Sequence, residues 1–249
     1  MNHNPKVSAY GSPVAEQTLE LVFIDGSISN LDQMIADLQN ESTLDTTRTL
    51  DVVVLDPNRN GLAQITQTLL NYDSVDGIHI VSHGNGSQVQ LGSLTLSLDN
   101  IDTYRSAFSA WQGSMSQDAD LLFYGCNLAS TADGRELMSK IGAACDCDVA
   151  ASEDLTGHEA LDGDWGLEYQ IGTITTSTAF STTFESDWDG LLTTYVVTNT
   201  LDDGSVGSLR WAIGQANANA GTDTITFNIA LTERESRLST RPQIIVHNE

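Results

Sequence analysis

The sequence predicts an α/β protein: a three-layer α/β/α sandwich built on a mostly parallel sheet. Three observations predict it. Short runs of β-branched and apolar residues alternate with helical patterns over the first two-thirds of the chain. The runs VVVL, IHIV and LLFY are apolar nearly throughout, as strands covered on both faces must be. Finally, Asp25, Asp56, His83 and Cys126 fall at the C-terminal ends of successive runs, the rim where open α/β sheets form ligand sites.

The elements follow in order. ELVFID (20–25) reads as a strand, and NLDQMIADLQ (30–39) as a helix with Asn30 at its N-cap. DVVVLD (51–56) is a second strand, stopped by Pro57. In GLAQITQTLLNY (61–72), Leu62, Ile65, Leu69 and Leu70 share one helical face. GIHIVSHG (77–84) is a third strand, followed by a hairpin through VQLGSLTLS (89–97) and a helix near 99–115. ADLLFYGC (119–126), the helix DGRELMSKIGAAC (133–145), DVAAS (148–152) and a strand or hairpin in DWGLEYQIGTI (164–174) complete the alternation.

Residues 1–18 are expected to be a flexible N-terminus, and 19–176 the α/β domain. Residues 177–194, rich in Ser and Thr, read as a closing segment and linker, and 195–231 as a second unit. The tail 232–249 has another composition. Arg234, Arg237 and Arg241 balance Glu233, Glu235 and Glu249 there, so it reads as a truncated or frame-shifted end.

The chain of 249 residues carries 34 acidic and 10 basic residues, a formal charge of −24. That argues against nucleic-acid binding, since a phosphate-contacting surface needs clustered Lys and Arg, and against an anionic membrane surface. It suits an extracellular or cell-surface location. No run reaches the roughly 18 apolar residues of a membrane span, and residues 1–18 lack the apolar core of a classical signal peptide. No cofactor is expected, although a divalent cation such as calcium would relieve repulsion among the acids. TLDDGSVGS lacks EF-hand spacing and reads as a solvated turn.

The chemistry-bearing residues lie on the rim. A thiol reacts as thiolate, so Cys126 needs a base beside it, and His83 on a neighbouring strand end is the candidate. His83 would act as base toward the thiol and as acid toward a leaving amine. The amides of Gly84 and Cys126 are the candidate oxyanion donors, and Gly125 leaves room for a substrate chain. Asp25 and Asp56 either orient His83 or simply end strands in water. His79 reads as a partnered core histidine. Cys145 and Cys147 form a C-x-C with only His158 near, so no metal site is expected, and three cysteines are too few for a disulfide framework. HGNG resembles a lipase oxyanion strand, but the chain has no G-x-S-x-G elbow.

An apolar block ending in His-Gly, followed by one ending in Gly-Cys, resembles the caspase-like cysteine peptidases: caspases, legumain, gingipains, clostripain. IHIVSHG and LLFYGC match both halves in order. More closely, ELVFID, VVVLDPNRNGLAQI, IHIVSHGNG, LLFYGCNLA, VAASEDLTG and GDWGLE resemble an uncharacterised domain near the N-termini of very long bacterial surface and adhesin proteins. The segment 195–227 resembles the opening of right-handed β-helix modules in such proteins. The resemblance implies a caspase-like sandwich, a His83–Cys126 dyad and a specificity pocket in VAASEDLTGHEALDGDW. There Asp154 is the candidate for reading a basic P1 side chain, with Glu153, Asp162 and Asp164 as competitors. The implied function is cysteine endopeptidase acting on a peptide or protein substrate, with cleavage of its own chain and of another both open. The alternative is a non-catalytic peptidase-like module at the N-terminus of an adhesin, with His83 and Cys126 pointing apart or sealed from solvent.

Overall fold

The computed structural model describes residues 17–205, 207–217, 222–227, 229 and 243–247. The expected flexible N-terminus lies outside these residues except for its last two, and most of the tail 232–249 lies outside them too.

The alternation folds into an α/β unit. In chain order it runs β1 (Thr18–Asp25), α1 (Leu31–Leu44), β2 (Arg48–Leu55), α2 (Gly61–Leu69) and β3 (Val75–Val81). A small antiparallel sheet follows: β4 (Gly84–Asn85), β5 (Gln88–Leu91) and β6 (Leu94–Ser97). Then come α3 (Ile101–Trp111), β7 (Met115–Tyr124), α4 (Ala132–Cys145), β8 (Asp148–Ala151) and β9 (Tyr169–Ile171). The main sheet has the order β2-β1-β3-β7-β8-β9, with only β9 antiparallel. The order reverses at β1 and β3, which opens a crevice at their C-terminal ends.

Side-chain alternation builds two cores, one on each face of the sheet. Leu21, Phe23, Ile78, Ile80, Leu121 and Phe123 point to one face and pack with α2, α3 and α4. Val22, Ile24, Val81, Leu122 and Tyr124 point to the other and pack with α1 and the segment after β9. Helix starts are held by short polar caps: Asn60 accepts from the Ala63 amide, and Thr131 from that of Gly134.

Three details depart from expectation. Leu70 lies beyond the end of α2 and is 69% exposed, because the helix stops one residue earlier than its apolar period does. Asn30 sits at the N-cap of α1 in the left-handed region (φ 52°), and its side chain caps nothing. It donates instead to Asp189 at 2.7 Å, which ties the helix start to the closing segment. Cys145 and Cys147 are joined as a disulfide across the α4–β8 turn, where the cysteine count predicted no framework.

The Ser/Thr-rich closing segment is part of the core. Ala179, Phe180, Phe184, Trp188, Leu191 and Leu192 are all buried, and α5 (Thr182–Asp187) starts on the Ser181 cap. Trp165 meets Phe180, Phe184 and Trp188 at ring-centroid distances of 4.8, 5.4 and 5.4 Å. Beyond it, β10 (Thr194–Val197), β11 (Thr222–Phe227) and β12 (Gln243–His247) form a further sheet, with α6 (Leu209–Ala216) between β10 and β11 in the chain. In that sheet β10 and β11 run parallel and β12 antiparallel.

A segment this deeply packed carries stability. Trp188→Ala should cost about 3–5 kcal/mol in chemical denaturation, the range for emptying a fully buried aromatic site. A loss below about 1 kcal/mol would mean that the closing segment is a linker after all.

Candidate functional site

The register of β3 on β7 pairs Val81 with Tyr124, so His83 and Cys126 leave the sheet from adjacent strand ends. Both side chains are sealed: His83 is 1% exposed and Cys126 0%. The covering material is the chain itself. Residues 190–193 run through the crevice, bridging antiparallel to Gly157 through Leu191 and parallel to Gly84 through Thr193.

The polar contacts of this segment are specific. The Leu192 carbonyl oxygen accepts from the Gly84 amide at 3.1 Å and from the Cys126 amide at 3.2 Å. These are the two amides expected to serve as oxyanion donors. The Leu192 amide donates to the Thr156 carbonyl at 2.9 Å, and the His158 amide to the Gly190 carbonyl at 3.0 Å. Gly157 makes the approach feasible: at φ 143° it holds a conformation L-residues rarely adopt, and a Cβ there would land on the Gly190 carbonyl.

Cys126 is a free thiol beside this strand. It donates to the Thr156 carbonyl at 3.5 Å and accepts from the Thr156 amide at 3.2 Å. The sulfur and the Leu192 amide therefore share one acceptor, which sets the thiol alongside Leu192. Burial pushes the thiol up to about 12, against the pull of its backbone hydrogen bonds, so it is protonated at neutral pH.

The His83 ring has Asp25, Ser27 and Thr193 as neighbours. Burial lowers its pKa, and the Asp25 carboxylate and the Ser27 and Thr193 carbonyls oppose that only in part. Those carbonyls lie close enough to favour a protonated ring, yet neither ring nitrogen completes a hydrogen bond of normal geometry. Asp25 itself is buried and accepts from the Ser27 amide (2.9 Å), the Ser27 hydroxyl (2.6 Å) and the Gly92 amide (2.5 Å). It is the carboxylate that faces His83.

The other rim candidates fall elsewhere. Asp56 is exposed and accepts from the Asn58 amide at 2.9 Å, so it closes a turn and does not orient His83. Gly125 has a packing reason of its own: a Cβ there would lie 2.7 Å from the Ser82 carbonyl. The Asp154 carboxylate is exposed and clustered with Asp164 and Glu168, with ligand atoms within 4.8 Å of one another. Its pKa is raised by partial burial and then by those two charges, and its own charge adds to what keeps Cys126 protonated. Glu153 pairs with Arg135 at 2.6 Å. His79 is partnered on both nitrogens, by the Tyr124 hydroxyl (3.1 Å) and Glu20 (2.9 Å).

Leu192 and Thr156 are the site residues that the sequence reading missed. The available signal was Phe180, Phe184 and Trp188, spaced four apart ahead of the Leu191–Leu192 pair. That pattern marks a buried segment and not a linker.

Fold and site together define an α/β protein with a helix-flanked, mostly parallel six-stranded sheet and a plugged crevice at its C-terminal rim. Residues 21–192 match the family described as "Domain of unknown function (DUF4347)", and the chain belongs to that family. The match ends at Leu192, the residue that fills the crevice. No curated protein matches the sequence. Among solved structures, a short chain dehydrogenase family protein from Francisella tularensis subsp. tularensis SCHU S4 is similar at 10% identity with a TM-score of 0.27. The likeness covers 51% of this chain and 59% of that one, too slight to define the fold. Among the described residues, no helix is long and apolar enough to cross a membrane.

Burial of two imidazoles has a pH signature. His79 and His83 both have pKa values lowered from 6.5, chiefly by burial, so the unfolded chain binds protons that the folded chain refuses. Stability should be level above about pH 7 and fall below about 6.5, by up to about 1.4 kcal/mol per pH unit for each ring that stays neutral. Denaturation midpoints between pH 7.5 and 5 measure this, and His83→Gln should flatten the slope. An equally steep fall in that variant would assign the effect to His79 alone.

Proposed function

We propose that this domain is a cysteine endopeptidase with a caspase-like sandwich fold, carried on a bacterial surface or secreted protein. In this reading Cys126 is the nucleophile and His83 the base. One observation carries it. The amides of Gly84 and Cys126 converge on a single peptide carbonyl, that of Leu192, in a crevice that also buries the Cys126 thiol and an unsatisfied imidazole. Two amides on one carbonyl oxygen are the arrangement that stabilises an oxyanion during acyl transfer.

The electrostatics suit a site at rest. With the thiol protonated and His83 neutral, the ring is in the form that accepts a proton. Asp25 lies where it would stabilise the imidazolium that results, as the third member of such sites does.

A second reading has its own observation. Complete burial of Cys126, with its thiol pushed up to about 12, also fits a non-catalytic module in which this cysteine is a small apolar core residue.

Peptidyl acyloxymethyl ketones ending in Leu or Arg separate the two. The peptidase reading expects labelling at Cys126, located by peptide mass mapping, and a fall of about 100-fold or more in rate for His83→Ala. Labelling that persists at the wild-type rate without His83, or no labelling by either probe, leaves the non-catalytic module.

A further inference from the structure

We propose that residues 190–193 are the domain's own substrate segment, and that the bond cut is Leu192–Thr193. This inference rests on the peptidase reading above and specifies its substrate: an in-cis bond following an apolar side chain.

Three features single out this bond. The Leu192 carbonyl, and no other, is gripped by both rim amides. The two chemical groups neighbour the two residues that the bond joins. The thiol shares the Thr156 carbonyl with the Leu192 amide, on the acyl side. The His83 ring lies against the Thr193 carbonyl, on the side of the departing amine. The segment is also bound as an extended strand, with Leu191 opposite Gly157 and the Leu192 and His158 amides donating across the pair. Backbone pairing of this kind is how a groove holds an extended peptide whatever its side chains.

The side-chain slot gives the specificity. Leu192 is fully buried in the cluster that holds Tyr124, Trp165 and Trp188, an apolar lining. A leucine fits it and a cation does not, since burying an unpaired charge costs several kcal/mol. This runs against a basic P1 residue read by Asp154.

The chemistry balances with water as the only co-reactant. The thiol proton passes to the His83 ring, and the Cys126 sulfur bonds to the Leu192 carbonyl carbon. The ring hands its proton to the Thr193 nitrogen as the C–N bond breaks, which leaves a thioester on Leu192 and a free amine on Thr193. A water, giving its proton to the same ring, then adds to the thioester carbon. The C–S bond breaks, the sulfur takes the proton back, and Leu192 ends in a carboxylic acid.

The test uses the full chain, kept at neutral pH under reducing conditions and followed by intact mass and N-terminal sequencing. The expected result is two fragments, 1–192 and 193–249, the second beginning Thr193-Thr194-Tyr195. Cys126→Ser, nearly isosteric, should stay whole, and His83→Ala should slow cleavage by about 100-fold or more. Leu192→Met should be cut within a few-fold of the natural rate, and Leu192→Arg at least about tenfold more slowly. Near-UV circular dichroism of the Trp165–Trp188 cluster confirms folding of each variant. Faster cutting of Leu192→Arg, or cutting that survives Cys126→Ser, overturns the proposal. A chain that stays intact while the ketone probes still label Cys126 with His83 dependence overturns the bond assignment alone and leaves the peptidase reading standing. If both fail, both readings fall.

Discussion

The structure depends most on how two backbone amides at the ends of β3 and β7 are satisfied. Inside a parallel sheet each amide finds its partner on the next strand. Gly84 and Cys126 lie past the last ladder bonds, pointing into the crevice at the sheet's reversal. A buried amide without an acceptor costs about 1–3 kcal/mol. The Leu192 carbonyl supplies both with one oxygen, from a residue more than sixty positions downstream of either. Around that contact the rest is arranged: the aromatic cluster that fixes the approach of residues 180–188, the Gly157 backbone that admits them, and the Asn30–Asp189 bond that pins the turn to α1.

A second polar system crosses the sheet, from Arg48 and Glu20 near the starts of β2 and β1 to Tyr124 at the end of β7. Glu20 on β1 accepts from Arg48 on β2 and from His79 on β3. His79 in turn meets the Tyr124 hydroxyl on β7, which also accepts from the Ala179 amide. Burial pushes Glu20 up, but His79 and Arg48 outweigh it and keep the carboxylate ionised, while burial keeps His79 uncharged. Four strands and the closing segment are therefore cross-linked by a chain in which the one buried negative charge has a cation beside it. Among the described residues His79 and His83 are buried; His79 has a partner on each nitrogen and His83 has none in normal geometry. That contrast separates a fully partnered imidazole from an unpartnered one, although both began as histidines on the same apolar strand run.

Much of this was legible in the sequence because it follows from periodicity. Continuous apolar runs meant doubly covered strands, and polar residues at their ends meant a rim. Asp25 and His83 do face each other there, and the Gly84 and Cys126 amides do share one target. What was not legible depended on distant packing. Asp56 and Asp25 look alike in sequence, but only β1 is central enough for its terminal carboxylate to be buried against the crevice. Gly125 resembles a substrate-clearing glycine, and only the closeness of the Ser82 carbonyl shows that the strand pair needs it. The closing segment was obscured by composition: its Ser and Thr suggested a linker, and the aromatic spacing that buries it shows only against Trp165.

If the Leu192–Thr193 bond is cut as proposed, the segment that fills the crevice also becomes unstable there. Before cleavage the crevice holds a neutral peptide, whose carbonyl is satisfied and whose side chain is fully buried. Cleavage replaces it with a carboxylate on Leu192 and an ammonium on Thr193, both in a place without solvent. The two rim amides, which already donate to this carbonyl oxygen, could donate to the carboxylate as well. The ammonium has the Asp25 side of the crevice nearby, but Asp25 already accepts three hydrogen bonds from Ser27 and Gly92. Desolvation of such a pair exceeds what imperfect partners return, so the chain from Thr193 onward has reason to leave. The closing segment, anchored by Phe180, Phe184 and Trp188, has reason to stay. The same burial that keeps Cys126 protonated in the intact chain would then make one turnover an irreversible opening of the crevice on its amine side.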